Sequence, residues 1–130
     1  MKIKTLGILG GGQLGQMMLP YALQLGIKVH VLGDHADCPC ADWCASVQVG
    51  SLMDYDTVMA FGKTVDLLTI EFEHVNTQAL ADLEQMGKQV YPQPHLIRCI
   101  QDKGKQYTFY KEHGLPCPEF VLIDNVQELY

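Results

Sequence analysis

A run of glycines between a strand-like and a helix-like segment limits this chain to few folds. Residues 3–9, Ile-Lys-Thr-Leu-Gly-Ile-Leu, are short, apolar and partly β-branched, the pattern of a buried strand. After the glycines, Leu14, Met17, Met18, Tyr21, Ala22 and Leu25 recur at helical spacing. Gly10, Gly12 and Gly15 fit G-x-G-x-x-G, with Gly11 as an extra small residue inside the turn. The three can serve a tight turn, close approach of a ligand, and close packing of helix on strand. A strand that turns through glycines into a helix leaves backbone N–H groups at the positive end of the helix dipole, which favours an anion or nucleotide there. The glycines alone do not specify the ligand.

The remaining pattern alternates strand and helix. The first helix is predicted over 13–25, stopped by Gly26 and kinked or broken at Pro20. Strands are predicted at 27–32, 46–49, 66–71 and 89–91. Helices are predicted from the Asp54 cap to about Phe61 with Gly62 as stop, from the Asn76 cap to Gly87, over 95–101, and over 103–113 with Gly114 as C-cap. Residues 119–123 read as a further strand, and the run from Asp124 to Tyr130 as the capped start of another helix, an ending that suggests a fragment of a longer protein. The fold class expected is α/β, a Rossmann-like parallel sheet with helices on both faces. Ligands in such sheets sit at the carboxyl ends of the strands. The glycine turn, the Gly33-Asp34 corner and the Glu71–Asn76 loop are expected to meet there.

With 130 residues, 48% hydrophobic and 18% charged, the chain can bury a modest core and is not a disordered polymer. A formal net charge of −6 argues against a nucleic-acid partner. Lys2, Lys4, Gln13 and Gln24 interrupt the N-terminal apolar stretch, so neither a membrane span nor a cleavable leader is expected, and the expected location is cytoplasmic. The five cysteines form no disulfide framework and are expected to be reduced. His35, Cys38, Cys40 and Cys44 crowd one ten-residue loop without the paired spacing of a structural zinc site, so no metal is assigned to them.

Chemistry-bearing residues gather in residues 69–75, Thr-Ile-Glu-Phe-Glu-His-Val. If the strand's period of two continues, Glu71 and Glu73 point to one side at the ligand end of the sheet. Glu73 is the candidate for contact with a substrate amine or hydroxyl, while His74 is open between site and surface. Asp34 lies near the place where a dinucleotide fold holds a ribose, and reads equally as a polar residue at a strand end. The residues by themselves therefore leave three readings: a nucleotide-substrate domain, a nicotinamide-dependent dehydrogenase domain, and a non-catalytic scaffold with an acidic surface.

Three segments together carry a resemblance: Gly10-Gly11-Gly12-Gln13-Leu14-Gly15-Gln16-Met17, Thr69 through Val75, and Gln101-Asp102-Lys103 followed by residues 114–118, Gly-Leu-Pro-Cys-Pro. With these the chain resembles the amino-terminal part of the 5-(carboxyamino)imidazole ribonucleotide synthases, the ATPase subunit of phosphoribosylaminoimidazole carboxylase, in the ATP-grasp superfamily. The resemblance implies a Rossmann-like pre-ATP-grasp domain over 1–102 and the start of an ATP-grasp lobe over 103–130. It implies an ATP-dependent ligase of purine biosynthesis that joins bicarbonate to aminoimidazole ribonucleotide by way of carboxyphosphate, with ATP and Mg2+ as cofactors and a homodimer when full length. Gly10, Gly11, Gly12, Gln13, Leu14 and Glu73 would then bind the substrate, and Lys103 the ATP phosphates. The ATP-covering glycine loop and the magnesium-holding carboxylates do not occur in these 130 residues, so the chain by itself is expected to be inactive.

Overall fold

The computed structural model of the chain describes residues 4–123, 125 and 127. Five parallel strands form one sheet: β1 (Thr5–Leu9), β2 (Lys28–Gly33), β3 (Ser46–Val49), β4 (Leu67–Ile70) and β5 (Gln89–Val90). Their spatial order is β3-β2-β1-β4-β5. The chain works outward from β1 to β3, then returns to lay β4 on the other side of β1. The order thus reverses between β1 and β4, and the crevice at the carboxyl ends of these two strands is where such a sheet takes a ligand.

Alternating side chains build two cores, one on each face of the sheet. Ile8, Val29 and Val31 pack with Leu19 and Ala22 of helix α1 (Gln13–Gln24). Leu9, Leu32 and Leu68 point the other way, into a larger cluster. That cluster is closed by α2 (Tyr55–Lys63), α3 (Thr77–Gln85) and α4 (Pro94–Ile100). Helix α5 (Lys103–Glu112) packs on α4 and buries none of its residues. Side-chain caps start three of these helices: Asp54 accepts from the Thr57 amide at 2.8 Å, Asn76 from Ala79 at 2.9 Å and Asp102 from Lys105 at 3.1 Å.

Four expectations are corrected here. Helix α1 runs unbroken through Pro20 to Gln24; Pro20 lies on the exposed side, where water can serve the carbonyl that its missing N–H leaves free. Gly62 does not stop α2. It is buried inside the helix, where a Cβ would collide with Leu83 Cδ1 of α3, so glycine is what lets the two helices approach. Strand β4 spans Leu67–Ile70, one residue shorter at each end than the expected 66–71; the Glu71 amide makes one last bond to β1, and the chain leaves the sheet after it. Residues 119–123 pair with no strand among the described residues; the Phe120 ring stacks on Tyr107 of α5 instead. The helix expected from Asp124 onward lies largely outside the described residues.

Candidate substrate site

The glycine turn leaves β1 at Leu9 and enters α1 at Gln13, at the point where the strand order reverses. Gly10 has φ 108°, which an L side chain rarely adopts, and its amide donates to the Leu32 carbonyl at 2.9 Å. This bond fixes the turn to the neighbouring strand. Gly12 is the N-cap of α1 and supplies no side-chain acceptor. The amides of Gly11, Gly12 and Gln13 donate to no protein group among the described residues, so this helix start keeps its partial positive charge.

Glu71 lies directly against that charge. It follows β4, and its amide still donates to the Leu9 carbonyl at 2.8 Å, in continuation of the β1–β4 pairing. Its carboxylate lies across the turn, each oxygen 2.5 Å from where a Cβ would stand, Oε2 at Gly10 and Oε1 at Gly12. The glycines thus make room for the protein's own acid. The first acidic side chain at this helix end is Glu71.

Around the turn is a cavity of about 350 Å3, lined by Gly10, Gly11, Gly12, Asp34, Cys38 and Glu71 among others, a size in the range of small-molecule sites. Asp37 and His35 also face it. Three carboxylates and a few free amides suit a ligand that brings its own donors, such as ribose hydroxyls and an amine. A phosphate lying directly on the glycines, of a dinucleotide or of a ribonucleotide alike, would meet the Glu71 carboxylate, so a phosphate-bearing ligand has to direct that group elsewhere.

Of the other residues singled out in the sequence, Gln13 and Leu14 sit on the outer side of α1, Leu14 being 64% exposed, and neither lines the cavity. Glu73 is exposed and is not among the cavity's lining residues; its carbonyl accepts from Gln101 Nε2 at 2.8 Å. The same Gln101 amide donates to the Val75 carbonyl at 2.8 Å. The middle segment of the resemblance is therefore held by the first residue of the last one. His74 is exposed, with its ring 6.2 Å from that of Phe72. Lys103 opens α5, and its ammonium donates to Gln106 Oε1 at 2.9 Å, away from the glycine cavity. Glu71 was legible only as half of a pair: a period of two aligns it with Glu73, but the strand ends before either residue.

The cysteine-rich loop closes the other side of the turn. Cys40 is fully buried, with its sulfur 3.5 Å from the Gly12 carbonyl, and burial is the main cause that pushes its thiol up to about 11. Cys38 faces the cavity. Among the described residues, no three His, Cys, Asp or Glu side chains are placed to hold a metal ion. All five cysteines are free thiols.

Residues 3–101 match the ribonucleotide synthetase preATP-grasp domain. The chain belongs to that family. The chain is 39% identical over 123 residues to the chloroplastic phosphoribosylaminoimidazole carboxylase of Vigna aconitifolia, covering 95% of this chain and 22% of the relative. It superposes on the crystal structure of N5-carboxyaminoimidazole ribonucleotide synthetase from Thermotoga maritima with a TM-score of 0.88 at 33% identity, covering 97% of this chain and 35% of that one. The Aspergillus clavatus N5-carboxyaminoimidazole synthase, solved in complex with ADP and 5-aminoimidazole ribonucleotide, matches with a TM-score of 0.80 at 35% identity, over 90% of this chain and 31% of that one. The chain thus spans between about a fifth and a third of the length of these relatives.

Proposed function

We propose that this preATP-grasp domain holds the ribonucleotide substrate of an ATP-dependent ligase that carboxylates 5-aminoimidazole ribonucleotide with bicarbonate in purine biosynthesis. The observation that carries the reading is the cavity at the reversal of strand order, lined by Gly10–Gly12 together with Asp34 and Glu71. Its carboxylates would accept hydrogen bonds from ribose hydroxyls and from the amine, and the free amides of the turn would take a partial negative charge on the ligand. Gln13, Leu14 and Glu73 belong to the rim of this reading, where a second lobe would bring the rest of the substrate against them. Lys103 would meet the ATP phosphates from the start of such a lobe, with the domain boundary at 102, a position supported by the end of the family match at 101.

Bound ATP would supply the phosphoryl chemistry that activates bicarbonate. The residues of this chain bind and orient the amine that receives the carbon. ADP and ATP accompany solved relatives, which supports ATP as the cosubstrate here; Mg2+ would be held by carboxylates beyond these residues. The working enzyme is a homodimer in this reading, and cytoplasmic. No helix among the described residues is long and apolar enough to cross a membrane.

The test is a titration of the 15N-labelled chain with 5-aminoimidazole ribonucleotide and, separately, with NADH. Saturable shifts of the Gly10–Gly12, Asp34 and Glu71 amides with the ribonucleotide are the expected result. Tight binding of NADH at those amides, or no shifts with the ribonucleotide at millimolar concentration, would overturn the reading.

A further inference from the structure

The wall of the cavity that carries Glu71 is a short piece of irregular chain. Glu71 and Phe72 both line the cavity. The near end of this piece is anchored by the Glu71 amide, which donates to the Leu9 carbonyl at 2.8 Å. Phe72 is 50% exposed and Glu73 and His74 are exposed, so the chain has little packing of its own before the buried Val75. There the Val75 amide donates to the Glu73 carbonyl at 2.9 Å and closes a tight turn. Gln101 grips that turn from outside. A primary amide has two N–H donors, and the carbonyls of Glu73 and Val75 each lie 2.8 Å from its Nε2. Gln101 is the C-cap of α4, with its backbone amide bonded to the carbonyl of the fully buried Ile97 at 3.0 Å. The grip is therefore mounted on the core. Gln101 itself is not among the residues that line the cavity.

We propose that Gln101 is a positioning residue for the ribonucleotide: through the turn at 73–75 it holds the Glu71–Phe72 wall of the cavity in its binding position, without touching the ligand. The inference rests on the reading of this cavity as the ribonucleotide site and adds a residue that acts on it from outside. The Glu71 carboxylate lies across Gly10 and Gly12 at the start of α1. Its oxygens can accept from a ligand only if they stand at the right distance and angle, since a hydrogen bond weakens steeply away from both. With the grip in place, the wall is tied at the Glu71 amide and again at the turn. Without it, the far end is held from Val75 onward, and Phe72 and the acid sample further positions. Each such position dilutes the one that fits the ligand, and apparent affinity falls by the fraction that remains competent. A glutamine meets the two carbonyls with two donors; a glutamate of the same shape has none to offer.

The test compares the 130-residue chain with Gln101→Glu, Gln101→Ala and Asp66→Asn. The last alters an acid that joins Lys4 and Thr5 to the start of β4, at the opposite end of the sheet from the cavity, and serves as a variant weakened elsewhere. Circular dichroism fixes a temperature at which all four are folded. Two readouts follow. In the free chain, the Glu71 and Phe72 amide resonances should shift or broaden in both Gln101 variants and stay in place in Asp66→Asn. On titration with 5-aminoimidazole ribonucleotide, both Gln101 variants should raise the Kd about fivefold, as if about a fifth of the molecules kept the binding position, and Asp66→Asn should stay within about twofold of the parent. Unmoved Glu71 and Phe72 resonances in Gln101→Glu overturn the proposal, and so does an unchanged Kd in both Gln101 variants. An equal rise in Kd for Asp66→Asn also overturns it, because lost stability would then account for the effect. A parent that binds no ribonucleotide sinks the substrate reading, and with it the role toward the ligand; moved resonances in the free chain would still show the wall to be held by Gln101, so the two failures are told apart.

Discussion

Two glycines two residues apart have different reasons to be glycine. At Gly10 the backbone itself demands it, with φ 108° and the Glu71 side chain packed where a Cβ would go. At Gly12 the backbone is ordinary extended chain, φ −74° and ψ −171°, and only the tip of the Glu71 side chain stands in the way. That tip can swing aside, whereas a backbone angle cannot be relaxed without moving the strand end. Gly10→Ala should therefore cost about 1–3 kcal/mol of stability, measured by urea unfolding. Gly12→Ala should leave the unfolding midpoint nearly unchanged while weakening ribonucleotide binding, because it displaces the acid that lines the cavity. Equal stability losses for the two variants would show that Glu71 is not free to move. The sequence pattern predicted close approach of a ligand as one use of these glycines. It could not show that the group approaching is the side chain of Glu71, from the far end of another strand.

Between elements, the loop after β4 is positioned by α4 rather than by its own strand. The side-chain amide of Gln101 donates to the carbonyls of both Glu73 and Val75 at 2.8 Å, and Asn76 ties the far end of the loop to Met53 at 2.9 Å. A carboxylate at 101 could donate nothing and would face two carbonyl oxygens. Gln101→Glu should thus destabilise the domain more than Gln101→Ala, the alanine variant by about 1 kcal/mol, and both should speed hydrogen exchange at Val75. An unchanged exchange rate in the glutamate variant would rule out the clamp. Elements with local signals were legible in the sequence. β3 falls at its expected residues, Asp54 and Asn76 cap the helices they were expected to cap, and Gly87 sits beyond α3 with φ 87°. The features that escaped the sequence depend on what packs from elsewhere. Gly62 reads as a helix stop until Leu83 is seen against it, and Pro20 reads as a break until its position on the wet side of α1 is known. The candidate site divides the same way: the glycine turn was legible and Asp34 was open between a ribose contact and a polar strand end, but that Glu71 rather than Glu73 lines the cavity required knowing where β4 ends.

Across the whole molecule, the two ends of the sheet are built differently. The carboxyl end holds the glycine turn, free amides and a cavity. The amino end is cross-linked by one acid just before β4. Asp66 accepts from the amides of Lys4 and Thr5 and from the Thr5 hydroxyl, each at 2.9 Å, while its own amide donates back to Thr5 Oγ1 at 2.9 Å. These bonds join the starts of β1 and β4, the two strands whose other ends frame the cavity. The Lys4 amide first, then the Thr5 hydroxyl and amide, hold the Asp66 carboxyl below the usual carboxylate range. A carboxyl depressed in the folded state stabilises the fold above its ordinary value near 3.9 and loses that contribution as pH falls through the folded value. Asp66→Asn should therefore lower the thermal midpoint at pH 7 and narrow the gap to the parent as the pH drops below about 4. Some acid sensitivity will remain in the variant, because the capping carboxyls of Asp54 and Asp102 are depressed as well, each chiefly by the hydrogen bond it accepts at its helix start. Thermal melts from pH 2 to pH 7 decide the matter. Coincident curves for parent and variant would mean that the acid adds nothing, and that β1 and β4 are held in register by their ladder and core alone; a constant offset would mean that its contribution does not depend on its ionisation.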